Sequence, residues 1–219
     1  MPRKSKKDVE GIFDTLKSAN PEPESDLKWN NPFELLVAVV LSAQATDVGV
    51  NKATPGLFEV APTPQALWDL GEERIKDYIR TIGLFNSKAK NLALLAEKLV
   101  KEHNSEVPQT REALQALPGV GRKTANVVLN VAFGQPTMAV DTHVFRTANR
   151  LGLANTKTPE STEKPLVDII PAKYMDHAHH WLILLGRYTC KARKPMCEEC
   201  LVTAWCNTFK REEKKRKSE

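Results

Sequence analysis

Leu117-Pro-Gly-Val-Gly-Arg-Lys-Thr-Ala125 is the stretch on which the fold turns. Upstream, Leu114 and Leu117 mark the apolar face of a helix that Pro118 closes. Downstream, the spacing predicts a second helix from about Arg122 to Phe133. Gly-Val-Gly between two helices is a turn that calls for positive φ and close backbone approach. Its amides run straight into a helix N-terminus, where unpaired N–H groups and the positive end of the macrodipole coincide. A phosphate can be held there through backbone alone, without reference to base sequence. A lone Gly-x-Gly is more often an ordinary tight turn, so the longer string has to decide between the two readings.

The signals on either side are helical. Val9, Ile12, Phe13 and Leu16 recur at helical spacing, and Asn20-Pro21 ends that helix. In Asn31-Pro-Phe-Glu34, Asn caps, Pro takes the first helical position and Glu reaches back three residues. Thr63-Pro64 opens another helix, backed by Leu67 and Leu70; Leu92, Leu95, Ala96 and Leu99 mark a long one ending near Asn104. Asp141 opens a helix with Val144, Ala148 and Leu151 on one face, and the last strong helix holds Trp181, Leu182, Leu184 and Leu185. Val37 to Leu41 is rich in β-formers, but its capped start argues helix. No period-2 strand and no internal repeat emerges. The expected class is all-α. Pro165 interrupts the segment from Glu160 to Ile170 and is expected to shorten its helix or delay its start, and the charged tail from Lys210 to Lys217 to be frayed or solvated.

The chain has 219 residues, 41% of them hydrophobic, enough for one large domain or two small ones and against wholesale disorder. With aromatics at 6%, the core must rest on aliphatic side chains, which suits packed helices. A net charge of +5 permits an anionic partner without requiring one. No apolar run reaches the ~18 residues of a membrane span, and no apolar segment follows the basic start Met1-Pro-Arg-Lys-Ser-Lys-Lys7. The expectation is a cytoplasmic protein in a reducing compartment.

Read in full, the Leu117–Ala125 string resembles the helix–hairpin–helix DNA-binding motif. Lys123 falls in the first turn of the second helix. A solvated lysine titrates near 10.4 and is a poor nucleophile at neutral pH, whereas partial burial and the positive helix end would favour a neutral amine able to form a Schiff base. A phosphate-contacting lysine is the blander alternative. In Val140-Asp-Thr-His143, Asp141 is a good helix cap, which would explain it completely. It is also a carboxylate able to stabilise an oxocarbenium-like sugar or move protons.

All four cysteines lie in one short run, Cys190-x6-Cys197-x2-Cys200-x5-Cys206. Such clustering speaks for a metal rather than a disulfide framework. Structural zinc and a cubane iron–sulfur cluster are the candidates, and spacing alone puts zinc slightly ahead. Between the first two cysteines, Lys191, Arg193 and Lys194 form a basic loop with no acid, suited to clamp phosphate or simply to be solvated.

Together these residues closely resemble the endonuclease III family of DNA glycosylases with abasic-site lyase activity. The resemblance runs from about Asn20 to Cys206. It includes Leu41-Ser-Ala-Gln-Ala-Thr-Asp47, Thr81-Ile-Gly-Leu-Phe-Asn-Ser-Lys88, Leu117 to Ala125, Val140 to Arg146, His180-Trp-Leu-Ile-Leu184 and the cysteine spacing. It implies an all-α fold of two helical domains flanking a DNA-binding cleft. Residues 25–135 would form a six-helix bundle holding the hairpin; residues 1–24 and 136–219 would form a discontinuous cluster domain. It further implies a [4Fe–4S] cluster on Cys190, Cys197, Cys200 and Cys206, a Schiff-base lysine at Lys123 and an assisting aspartate at Asp141. Gln44 and Leu84 match residues that wedge into the duplex where a base is extruded; without the resemblance Gln44 reads as a buried helix polar and Leu84 as core. Gly119, Gly121, His143, Lys191, Arg193 and Lys194 complete the expected DNA contacts.

The implied activity is excision of damaged bases, oxidised pyrimidines foremost, from duplex DNA, with β-elimination at the abasic site. The partner is damaged double-stranded DNA, reached by a monomer at the bacterial nucleoid. A monofunctional adenine glycosylase of the same superfamily lacks the lysine and carries a further C-terminal domain. A non-catalytic DNA-binding module would make no use of Lys123 as a nucleophile, and an electron carrier would have no use for the hairpin and basic loop.

Overall fold

The computed structural model describes residues 4–23 and 26–218; the first residues of the basic start and Glu24 and Ser25, at the expected domain boundary, lie outside them. All regular structure among the described residues is helical. The chain divides into two compact units, Ser25–Gln135 and Met1–Glu24 with Pro136–Glu219.

The N-terminal helix α1 (Lys6–Ala19) belongs to the second unit, and the first unit is built from the six helices that follow it. Here the centre is α2 (Pro32–Ser42), buried on every side from Phe33 to Leu41. Full burial explains why its Val-rich run needs no amphipathic pattern. Asn31 caps it, accepting from the Glu34 amide at 3.0 Å. Glu34 does not close the reciprocal box on Asn31: its carboxylate accepts instead from the backbone and side-chain N–H groups of Asn30, both at 2.8 Å. Around α2 stand α3 (Asp47–Val60), α4 (Pro64–Ile79), α5 (Phe85–Glu102), the short α6 (Arg111–Gln115) and α7 (Arg122–Phe133). Leu57, Leu67, Ile75, Leu92, Leu95, Leu99, Leu114 and Val128 share one core with α2. The hairpin therefore projects from packed helices, with α6 against α7 and α7 against α2.

In the second unit, α1 presents Val9, Ile12, Phe13 and Leu16 to the core, as its spacing demands. It joins α8 (Thr142–Leu151), α9 (Pro159–Ile169), α10 (Met175–Leu184) and α11 (Asn207–Arg216). Phe13, Tyr174 and Trp181 form an aromatic centre, Phe13 and Tyr174 stacked at 5.5 Å between ring centroids. After α10 the chain widens into a π turn, Leu185–Thr189, and then enters the cysteine segment.

One expectation needs correction. Pro165 neither shortens nor delays α9, which begins at Pro159 under a Thr158–Ser161 capping box and runs through Pro165 to Ile169. Capping supplies the first turn, and Pro165 costs only the one interior hydrogen bond its missing N–H cannot make. The charged tail from Lys210 to Lys217 is exposed, as a solvated segment would be, and Asn207–Arg216 is helical.

Candidate functional site

The hairpin is built as its residue types require, but its two glycines do different work. Gly119 has φ +78°, where L side chains are strained, and a Cβ there would lie 3.1 Å from the Asn91 side chain on α5. Gly121 has φ −89° and caps α7 with extended backbone, so the expectation of positive φ holds for the first glycine alone. Gly121 supplies no side-chain oxygen to the cap, and a Cβ there would meet nothing within 4 Å. The approach to the start of α7 is thus open.

Lys123 is the second residue of α7, on the opening turn. Its side chain is exposed rather than partly buried.

Gln44 and Leu84, far apart in sequence, lie in neighbouring turns. Gln44 is not in a helix: α2 ends at Ser42, and Gln44 stands exposed just beyond with φ 54°. Leu84 is not core: it is 59% exposed, with φ 61°, and caps α5 without a side-chain hydrogen bond. A Cβ on Gly83 would lie 3.9 Å from the Gln44 carbonyl oxygen, so the two turns abut. A bulky residue in the left-handed region costs about 1–3 kcal/mol and persists where its surroundings over-determine it. Two such residues on adjacent turns, both presented to solvent, form a projection that core packing does not explain.

In the second unit, Asp141 caps α8. Its Oδ1 accepts from the amides of His143 and Val144, each at 2.8 Å. The capping role is real and rests on one oxygen. The side chain is half-buried, as is His143. His143 Nδ1 lies 3.1 Å from Arg146 Nη2, and its Cβ crowds Gly186, where an added Cβ would stand 2.8 Å away.

The four cysteines are brought together. They line one cavity of about 190 Å³, together with Arg150, Leu185, Met196 and Glu212. No disulfide joins them. Burial, first, and then the neighbouring cysteine sulfurs push the Cys197 thiol up, and burial raises Cys200 against the pull of the Val202 amide. Cys206 is also raised by burial, against the pull of the Thr208 and Phe209 amides at the start of α11. Converging soft donors with amides aimed at two of them fit a thiolate-bound metal centre, whose positive charge would reverse the upward push. As they stand, no three His, Cys, Asp or Glu side chains among the described residues are arranged to hold a metal ion.

Lys191, Arg193 and Lys194 are exposed, and Lys194 has φ 51°. The backbone beneath them is pinned: Lys191 and Met196 amides both donate to Thr189 O, at 2.9 and 3.0 Å. Two residues that the sequence reading passed over complete this region. Arg146 Nε donates to Cys190 O at 2.9 Å and its Nη2 to Gly186 O at 2.7 Å. Arg150 reaches the carbonyls of Lys191 and Ala192. Their only signal in sequence is the i,i+4 spacing of two arginines on α8, which reads as a solvated face.

The model of the HhH-GPD superfamily base excision DNA repair protein matches residues 37–172. Endonuclease III of Haemophilus influenzae is 57% identical over 195 residues, 89% of this chain and 92% of that protein. The chain belongs to the endonuclease III family. Endonuclease III of Escherichia coli is 56% identical with the same coverage. A solved structure of a trapped endonuclease III–DNA covalent intermediate matches with a TM-score of 0.88 at 44% identity, covering 96% of this chain and 99% of that one. Membership of the endonuclease III family makes this a base excision repair enzyme, a DNA glycosylase with abasic-site lyase activity. No helix among the described residues is long and apolar enough to cross a membrane.

Proposed function

We propose that the enzyme binds duplex DNA carrying a damaged base, oxidised pyrimidines foremost, and that Lys123 is its nucleophile. The observation that carries this is the exposed Lys123 side chain on the opening turn of α7, directly after a hairpin whose approach is open. The hairpin amides bind a phosphate of the backbone, and this sets the sugar against the lysine. Gln44 and Leu84 enter the stack as the base leaves it, recovering part of an extrusion cost of a few kcal/mol.

The neutral Lys123 amine attacks the sugar C1′, and the C1′–N bond breaks with its electron pair going to the base, which takes up a proton. Ring opening gives a protonated imine between Nζ and C1′. Imine formation acidifies the C2′ hydrogens. Loss of one C2′ proton expels the 3′ phosphate, which leaves with the C3′–O electron pair and nicks the strand. Water then releases the lysine. Asp141 assists by offsetting positive charge that develops on the sugar and by moving protons. His143, Lys191, Arg193 and Lys194 contribute phosphate contacts, and the enzyme acts as a monomer.

Cys190, Cys197, Cys200 and Cys206 would hold a [4Fe–4S] cluster. When bound it cross-links the segment beneath the basic loop and supplies a redox-active centre. Four cysteines would also suit a single zinc, and it is the likeness to endonuclease III that supports the cluster over it.

Borohydride reduces the imine and traps protein on DNA. Wild type is expected to trap on a lesion duplex; Lys123→Gln is expected to lose trapping while still binding DNA, since the hairpin backbone is untouched. Trapping by Lys123→Gln at the wild-type rate would overturn the assignment.

A further inference from the structure

We propose that Arg150 is a positioning residue for the cysteine-bound centre, holding Cys190 and the start of the basic loop against α8 and donating a hydrogen bond to the Cys190 sulfur. The proposal rests on the cluster assignment made above.

Arg150 places both ends of its guanidinium fork on consecutive residues. Nη1 donates to Lys191 O at 2.7 Å and lies 3.4 Å from Cys190 Sγ, and Nη2 donates to Ala192 O at 3.1 Å. Its own backbone carbonyl oxygen lies 3.4 Å from Cys206 Sγ. One residue thus touches the first and the last cysteine of the set. It also lines the cavity with all four, where among the described residues it is the one cationic side chain and Glu212 the one carboxylate. The platform beneath it is rigid, since Val144, Thr147, Ala148 and Leu151 bury the other face of α8.

A planar fork that satisfies two carbonyls and a sulfur at once is a task for arginine; lysine offers one point charge on a flexible stem. Four thiolates outweigh the charge of the iron–sulfur core they bind, and reduction adds another electron. A fixed cation donating N–H to one sulfur favours the more negative state and so raises the potential. Holding Lys191 and Ala192 by their carbonyls also determines where the loop cations point. Arg146 ties Cys190 O from one turn earlier, so the unit keeps a second strut when Arg150 is replaced.

The test uses the purified holoprotein: wild type, Arg150→Lys and Arg150→Leu. Iron per chain, helical circular dichroism, reduction potential and the rate of iron release to a chelator are measured for each. Arg150→Leu is expected to shift the potential downward and to release iron about tenfold faster or more, as losses of such supporting contacts do. Arg150→Lys, which keeps the charge without the fork, falls between. Loss of iron from a variant with wild-type circular dichroism also supports the role. Variants with full iron, wild-type potential and wild-type release rate overturn it. Wild-type protein that holds zinc and no iron overturns the cluster assignment and this proposal together, which separates the two failures.

Discussion

Leu84 carries a cost that its fold does not require. At φ 61° it is strained, and at 59% exposure it recovers little by burial. Leu84→Gly is therefore expected to raise stability by about 1 kcal/mol, read by denaturant unfolding. The same variant should weaken binding to a lesion duplex more than binding to undamaged DNA. A fall in stability, with equal loss on both duplexes, would return Leu84 to a packing role. Neither Leu84 nor Gln44 was legible from periodicity, which reads both as buried, because positive φ in a non-glycine residue leaves no mark on the apolar pattern. Only the resemblance picked them out. Lys88, inside the same matched string, was missed for a related reason. It sits on α5 at 5% exposure, its Nζ has no hydrogen-bond partner among the described residues, and burial pushes its pKa below the usual lysine value. Between that lowered value and the ordinary one the unfolded chain binds more protons, so stability rises with pH across the window. The penalty is fully present below the lowered value. Lys88→Met is expected to stabilise the protein by about 1 kcal/mol or more at neutral pH, with the gain shrinking as pH rises toward the ordinary lysine value. A gain that does not change with pH would locate the effect in packing instead.

At the scale of elements, α8 performs two tasks from one turn. Asp141 Oδ1 holds the first two amides, and Asn retains that acceptor while Ala does not. Asp141→Ala should cost about 1 kcal/mol of stability and Asp141→Asn much less, yet both should slow base excision severely. Wild-type turnover in Asp141→Asn, measured in single turnover, would reduce Asp141 to a cap. The helix starts at Asn31, Thr63 and Asp141 were readable because each cap is a local chemical event. The path of α9 through Pro165 was not, because a local rule about proline weighs one lost bond and cannot see the capping box that nucleates the helix. The basic loop makes a further claim at this scale. Its backbone is tied while Lys191, Arg193 and Lys194 stay exposed. Removing each charge should lower the slope of log affinity against log salt by roughly one unit or less. Unchanged slope and affinity in the triple Ala variant would show that the loop is merely solvated.

At the scale of the whole molecule, the all-α class and the clustering of the four cysteines follow from patterns that run the length of the chain: helical spacing, absent period-2 alternation, and cysteines confined to one segment. The arginine struts of α8 do not, because their partners are backbone carbonyls some forty residues away, and sequence shows no carbonyl as a partner. The enzymatic reading converges on a single bond, the one between Nζ of Lys123 and C1′ of the sugar. The most direct measurement is mass spectrometry of the borohydride-reduced complex after nuclease and protease digestion, locating the sugar remnant on the protein. The adduct is expected on Lys123 alone, in the peptide that follows Gly121. An adduct on any other amine, with Lys123 unmodified, would contradict it.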